Sequence, residues 1–299
     1  MSTMTTGTIA KALWPGVNKF YGDEYKRFPL VFKRIFKTMK SDKKYEEDVS
    51  LSGFGQFAIK TEGGSISYDA ARQGYVKRYT AVTYALGFQA TREYLEDMQY
   101  DIIFKKAQAL GMSARITQET IAANVLNRAF DSAYLGGDAK EMCATDHPNI
   151  AGGTFSNELT TAADLSEAAI EQALIDIAGF TDDRGNQIMV TGRQLVIPRQ
   201  EMFNAKRILK SDLRSGTAEN DLNALKGEDL EIVQWNFLTD PDAWFIVTDA
   251  VDGLKHVDRR GIEFGSDNDT DTENAKFKCT FRADWGWSDP RGIFGSGGA

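Results

Sequence analysis

The sequence predicts an α+β fold on three features: a proline-free stretch of helical periodicity over residues 91–131, a strand-like stretch with a glycine turn over 49–90, and strand signals that return after residue 226. Strands and helices do not alternate strictly, which points away from a doubly wound sheet and toward one body inserted between an early helix and late strands. With 299 residues, 42% hydrophobic and 11% aromatic, the chain can bury one sizeable core, or two smaller ones that share a long element.

The helical stretch reads TREYLEDMQYDIIFKKAQALGMSARITQETIAANVLNRAFD. Leu95, Met98, Ile102, Ala109, Met112 and Ile116, then Ile121, Val125 and Ala129, follow helical spacing, with Lys105, Lys106, Gln118 and Glu119 outside that stripe. As one helix it would be about 60 Å long, a rigid spine in which Gly111 is a candidate bend. Before it, GFGQFAIK and SISYDAARQGYVKRYTAVTYALGFQA flank a turn at Gly63 and Gly64, and alternation is clearest over 75–86. A long two-stranded hairpin is marginal in water, so this one is expected to lean on a neighbouring copy, with Gly63 and Gly64 at its tip and Tyr68 and Tyr75 among its contacts.

Residues 1–45 are basic and aromatic. Ten Lys or Arg against three acids give this segment +7 and leave −15 for the rest of a chain whose net charge is −8. Trp14, Phe20, Tyr21, Tyr25, Phe28, Phe32 and Phe36 are interleaved with those charges, and residues 28–39 carry the spacing of a short amphipathic helix. The expectation is an arm in which Lys33, Arg34 and Lys37 guide, and Trp14, Phe20, Phe28 and Phe32 fix, a contact with another copy. After the long helix come a loop, CATDHPNIAGGTF, and a helix entered by Asp164 and Glu167 as a capping box. Ile170, Ala173, Leu174 and Ile177 form its buried face and Gly179 its end. QIMVTGRQLVIP, LEIVQWNFL, AWFIVTDA and KFKCTFRADWGW read as strands and EMFNAKRILKS as a helix.

Signatures of enzymatic chemistry fail one by one. There is no GxxxxGK pattern to cradle phosphate, and Gly53 and Gly55 precede strand-like sequence where a dinucleotide site needs a helix N-terminus. Cys143 near His147 offers the elements of a cysteine-dependent hydrolase, at a spacing that matches no protease signature. A zinc site would have to gather Cys143, His147, His256 and Cys279 from across the chain. The acidic run DNDTDTEN begins like a calcium loop but has Thr272 and Lys278 where the turn glycine and the bidentate glutamate belong. Neither cofactor nor metal is expected, and the reading is not that of an enzyme. No run is long and apolar enough for a membrane helix, the first residues lack a secretory pattern, and two distant cysteines suit free thiols in a cytoplasm. Only the arm suits contact with phosphate, without sequence preference.

The order of these parts resembles the major capsid proteins of tailed phages with the Hong Kong 97 type fold, and within them the Mu-like head subunits. The resemblance is carried by the arm, the hairpin, the helix ending in NRAFD, the DHP at residues 146–148, and the closing WSDPRGIFGS. It implies an N-terminal arm (1–48), an extended E-loop hairpin (49–90), a P-domain with a spine helix (91–145), an A-domain (146–225), and P-domain strands with a C-terminal tail (226–299). It implies further that copies form hexamers and pentamers, closing an icosahedral shell around double-stranded DNA in a virion assembled in a bacterial cytoplasm. The implied partners are a portal and separate scaffold or decoration proteins. An encapsulin-like cellular compartment is the alternative within the same fold.

Overall fold

The computed structural model describes residues 19–26, 29–91, 93–94, 100–213, 222–269, 272 and 274–299. Two four-stranded sheets organise the chain. The first has the order β1 (Lys37–Lys40), β10 (Leu254–Asn268), β11 (Ala275–Trp287) and β4 (Val82–Ala90), with β1 parallel to β10 and the other pairs antiparallel. The second runs β12 (Ile293–Ser296), β9 (Trp244–Thr248), β7 (Gly192–Ile197) and β8 (Glu231–Gln234), with β7 and β8 parallel. This sheet draws on both sides of the boundary expected at residue 225. Two small antiparallel pairs complete the strands: β2 (Tyr45–Leu51) with β3 (Gln73–Thr80), and β5 (His147–Pro148) with β6 (Thr154–Phe155).

The long helix α1, described over Tyr100–Asn127, is about 42 Å at ~1.5 Å per residue and lies along the first sheet; it ends before the expected residue 131, and Leu95 and Met98 lie outside the described residues. Alternate residues of β11 meet successive turns of it. Ala275 and Phe277 pack in one cluster with Ile103 and Ala107, Cys279 in the next with Leu110 and Ala114, and Phe281, Ala283 and Trp285 with Ala122, Ala123 and Leu126. The buried face is therefore turned from the stripe read in the sequence over residues 102–116, while Ala129 is buried and Ile121 and Val125 pack against the core as expected. Ile102, Ala109, Met112 and Ile116 are exposed, whereas Gln118 and Glu119 are buried. Alanines form much of the packed face because they let the sheet approach closely, and hydrophobic spacing alone ranks them below Ile and Met. The helix runs on through Gly111, where a Cβ would come within 2.8 Å of the Tyr21 carbonyl oxygen, so the glycine makes room for the arm.

Around the second sheet pack α2 (Glu167–Ala178) and α3 (Met202–Lys210), burying Ile170, Ala173, Ile177, Leu195, Ile197, Leu209, Trp244 and Phe294 together. Ser166 caps α2, accepting the Ala169 N–H at 3.2 Å, in place of the expected Asp164. Phe32, Phe36 and Trp235 join residues of both sheets in one core, so the two bodies share apolar material. Of the described residues 29–39, only Phe32–Ile35 is helical before β1 begins.

The hairpin departs most from expectation. Residues 53–60, read as strand, have no regular structure, and β2–β3 pairing ends at Leu51 and Gln73. The run of alternation over 75–86 belongs to two strands in different sheets, β3 and β4, parted at the buried Ala81. β10, which the sequence reading passed over, is the longest strand described.

Candidate assembly surfaces

The arm, where described, packs on its own chain. Over residues 19–26 it is helical. Phe20 sits 4.8 Å from the Phe104 ring, Tyr21 stacks on Phe264 at 4.6 Å, and the Tyr21 hydroxyl lies 3.1 Å from the Cys279 sulfur. Burial pushes the Tyr21 hydroxyl pKa well above its usual value and that of Tyr25, which donates to Gln118 Oε1 at 2.8 Å, up to about 12. Phe32 is completely buried, edge-on to His256 at 5.1 Å and to Trp285 at 5.7 Å. Its expected place at an interface with another copy gives way to a place in the subunit's own core, because the turn at Phe32–Ile35 carries it between the sheets. Arg34 pairs with Glu231 at 2.5 Å, Lys37 reaches the Val251 carbonyl at 3.5 Å, and Lys33 is exposed. Trp14 and Phe28 lie outside the described residues.

Glu119 ties this arm to both bodies and was missed in the sequence, where a lone acid on a helix reads as solvated. Its carboxylate accepts the Val31 N–H at 2.6 Å and the Trp235 indole N–H at 2.8 Å, and burial pushes its pKa up. Glu119→Ala leaves both donors without this acceptor and should cost about 2 to 4 kcal/mol, with Glu119→Gln milder. Urea unfolding of the unassembled subunit reads both.

The loop between β2 and β3 presents a different surface. Phe57, Ile59 and Tyr68 are 102%, 97% and 92% exposed, and Leu51, Phe54 and Ile66 also face solvent. The turn at its end closes with Gly64 N–H donating to the Thr61 carbonyl at 3.0 Å, and Gly63 has φ +74°, a region side chains avoid. So many large apolar side chains on one short loop exceed the scattered exposure of a monomer surface.

Below the loop, the hairpin base is fastened to the first sheet. Lys255, buried, is paired with Asp48, and with Asp252 at 2.9 Å; Asp48 also accepts from Ser288 Oγ at 2.6 Å, and the Tyr79 and Ser288 hydroxyls lie 2.6 Å apart. A cavity of about 380 Å³ opens beside this network, lined by Leu51, Tyr75, Lys77, Phe155 and Arg291 among others. Tyr75 is thus at the base of the hairpin and half-buried, whereas Tyr68 is on the free part.

The cysteine and histidine considered as a nucleophile and its base are engaged elsewhere. His147 Nδ1 lies 2.6 Å from Asp138 and Nε2 3.1 Å from Asn157 Oδ1, while Cys143 is buried and its pKa is pushed well up by that burial, away from a reactive thiolate. Asn157 also donates to the carbonyls of Met142, Pro290 and Ile293, which makes this cluster a knot joining the segment after α1 to the closing residues. Among the described residues no group of His, Cys, Asp and Glu is arranged to hold a metal ion, and no helix is long and apolar enough to cross a membrane.

Residues 74–295 match the family described as phage capsid protein. Among solved structures, the chain is similar to that of the procapsid of bacteriophage JBD30, with TM-score 0.55 and 14% identity over 97% of this chain and 75% of that one. The mature capsid of bacteriophage PhiM1 gives 0.57 and 12% over 90% and 86%, and a virus-like particle from Pyrococcus furiosus 0.54 and 12% over 94% and 97%. At these identities the likeness is one of fold. No curated protein matches the sequence.

Proposed function

The chain belongs to the phage capsid protein family, a builder of virion shells, and from that premise we propose that it is a Mu-like major head subunit whose copies close into hexamers and pentamers of an icosahedral shell around DNA. In this reading α1 with β4, β10 and β11 forms the P-domain, the second sheet with α2 and α3 the A-domain, and residues 49–90 the E-loop. Portal, scaffold and decoration proteins are the further partners proposed, and the basic arm is proposed to meet packaged DNA without sequence preference.

The observation that carries the reading is the loop over 52–72, where Phe57, Ile59 and Tyr68 are more than nine-tenths exposed and Phe54 and Ile66 about 60% exposed. Each such side chain is worth about 1.5 to 3 kcal/mol when fully buried, so placing several of them against a second copy supplies a strong drive to associate. Rings close when one surface meets a different surface of the next copy, and a projecting loop is such a heterologous element.

Replacing Phe57, Ile59 and Tyr68 together by Ser is expected to leave a folded, soluble subunit that forms no shells. Electron microscopy of the concentrated protein reads the outcome, and normal shells from this variant would refute the loop's role. The removable part is residues 56–68. An excision extended to Thr80 takes β3 and the buried Tyr79 with it and would damage the subunit itself. The same images separate a phage head, with DNA and a tail vertex, from a small closed compartment holding protein.

A further inference from the structure

Where the loop meets the body, its two limbs are gripped by one side chain from a distant part of the sequence. Arg184 Nη1 reaches Asp69 Oδ2 at 2.6 Å and Nη2 donates to the Ala70 carbonyl at 2.6 Å, a two-point fork. The same Asp69 carboxylate accepts the Gly55 N–H of the outgoing limb at 2.8 Å and the Ala70 N–H at 2.8 Å. One guanidinium and one carboxylate thus join both limbs to the body. Everything beyond them, residues 56–68, includes the most exposed apolar side chains of the loop.

Arg184 is itself held firmly. Asp182 accepts the N–H groups of Arg184 and Asn186, both at 2.8 Å, and the Asn186 side-chain amide at 2.9 Å, which fixes the turn over 182–186. That turn is anchored in the body: Ala151 N–H donates to the Asp183 carbonyl at 3.0 Å, and the buried Arg291 joins Asp183 at 3.0 Å to Asn149 at 2.9 Å. The side chain that grips the loop therefore projects from a rigid support.

We propose that Arg184 is a clamp that fixes the direction in which the apolar tip leaves the subunit, presenting it to a second copy of this chain. The proposal rests on the loop reading above and adds to it the residue that aims the loop. A contact element already held in its bound direction loses less freedom on association. A partly exposed ion pair adds little to subunit stability, so the clamp acts on assembly and not on melting.

The test uses the full chain with Arg184→Ala, Arg184→Lys and the triple tip variant. Spin labels on cysteines replacing Glu62 and Lys206, both exposed, report the distance from loop to body in the unassembled subunit. Arg184→Ala should broaden that distance distribution, leave melting unchanged, and raise the threshold concentration for shells roughly three- to tenfold. Arg184→Lys, which keeps the charge and loses the fork, should fall between. An unchanged distribution, or a broadened one with an unchanged threshold, overturns the clamp. If the triple tip variant assembles normally the loop reading itself has failed and the clamp falls with it; if the tip matters while both Arg184 variants behave as wild type, the clamp alone is wrong.

Discussion

Phe32→Ala is expected to destabilise the unassembled subunit by about 3 to 5 kcal/mol, the cost of a large cavity in a core that cannot collapse around it. Phe32 is fully buried where the two sheets share apolar material, and its ring is flanked edge-on by His256 and Trp285. Domains commonly have a total stability of about 5 to 15 kcal/mol, so this single change removes a large share. Ile102→Ala is the matched control. Ile102 is 42% exposed on the outward side of α1, and its loss should shift stability by no more than about 0.5 kcal/mol. Urea unfolding of both variants decides the matter, since a large effect at Ile102 and a small one at Phe32 would reverse the assignment of the buried face.

Acid should weaken the subunit through His256. The ring is 4% exposed, stacks on Trp285 at 4.7 Å, and has Nδ1 3.2 Å from Thr38 Oγ1 while Nε2 has no hydrogen-bond partner among the described residues. Burial, reinforced by the nearby charge of Lys33, pushes its pKa from 6.5 down to about 4. The folded state therefore favours the neutral ring, and the unfolded chain takes up the proton first as pH falls. Above pH 6.5 His256 makes no pH-dependent difference. Between pH 6.5 and about 4 the unfolded state gains, and the total loss approaches about 3 kcal/mol. Carboxylates titrate over part of that range, so the measurement is the gap between wild type and His256→Leu at each pH. The gap should move in the variant's favour by about 3 kcal/mol from pH 7 to pH 4, and parallel curves would show that the buried ring is not the cause.

How much was legible depended on whether a signal was local. α3 and β11 could be read because their apolar residues recur at the period of the element that forms, and the family resemblance rested on the order of such elements. β10 was missed because LKHVDRRGIEFGSDN is charged and holds two glycines; its strand character comes from β1 on one side and β11 on the other. The face of the first part of α1 was misread because Ile102, Met112 and Ile116 outrank Ala107 and Ala114 in hydrophobicity, yet close approach to β11 selects the alanines. Residues 53–60 looked like strand because Phe57 and Ile59 alternate with Gln56, Ala58 and Lys60, a pattern that serves equally for side chains exposed to solvent. Glu119, Arg184 and Lys255 carried no legible signal, since each pairs with residues far away in sequence.

The pairing of β11 with β4 has a consequence for the order in which a chain can fold. Ala275 lies opposite Ala90 and Ala283 opposite Val82, so the first sheet closes only by joining segments nearly two hundred residues apart. The second sheet likewise takes its edge strand, β12, from residues 293–296. A chain growing from its N-terminus thus exposes the loop over 52–72 long before either sheet can form, and contacts this distant in sequence make the closing step slow. During that interval Phe57, Ile59 and Tyr68 are available to any apolar surface, which makes the interval the period of greatest aggregation hazard. Once β11 and β12 are in place the loop's base is fastened and the chain is fit to add to a growing particle. Fragments that stop before them lack the strands that complete the two sheets, and are expected to stay out of shells for that reason alone.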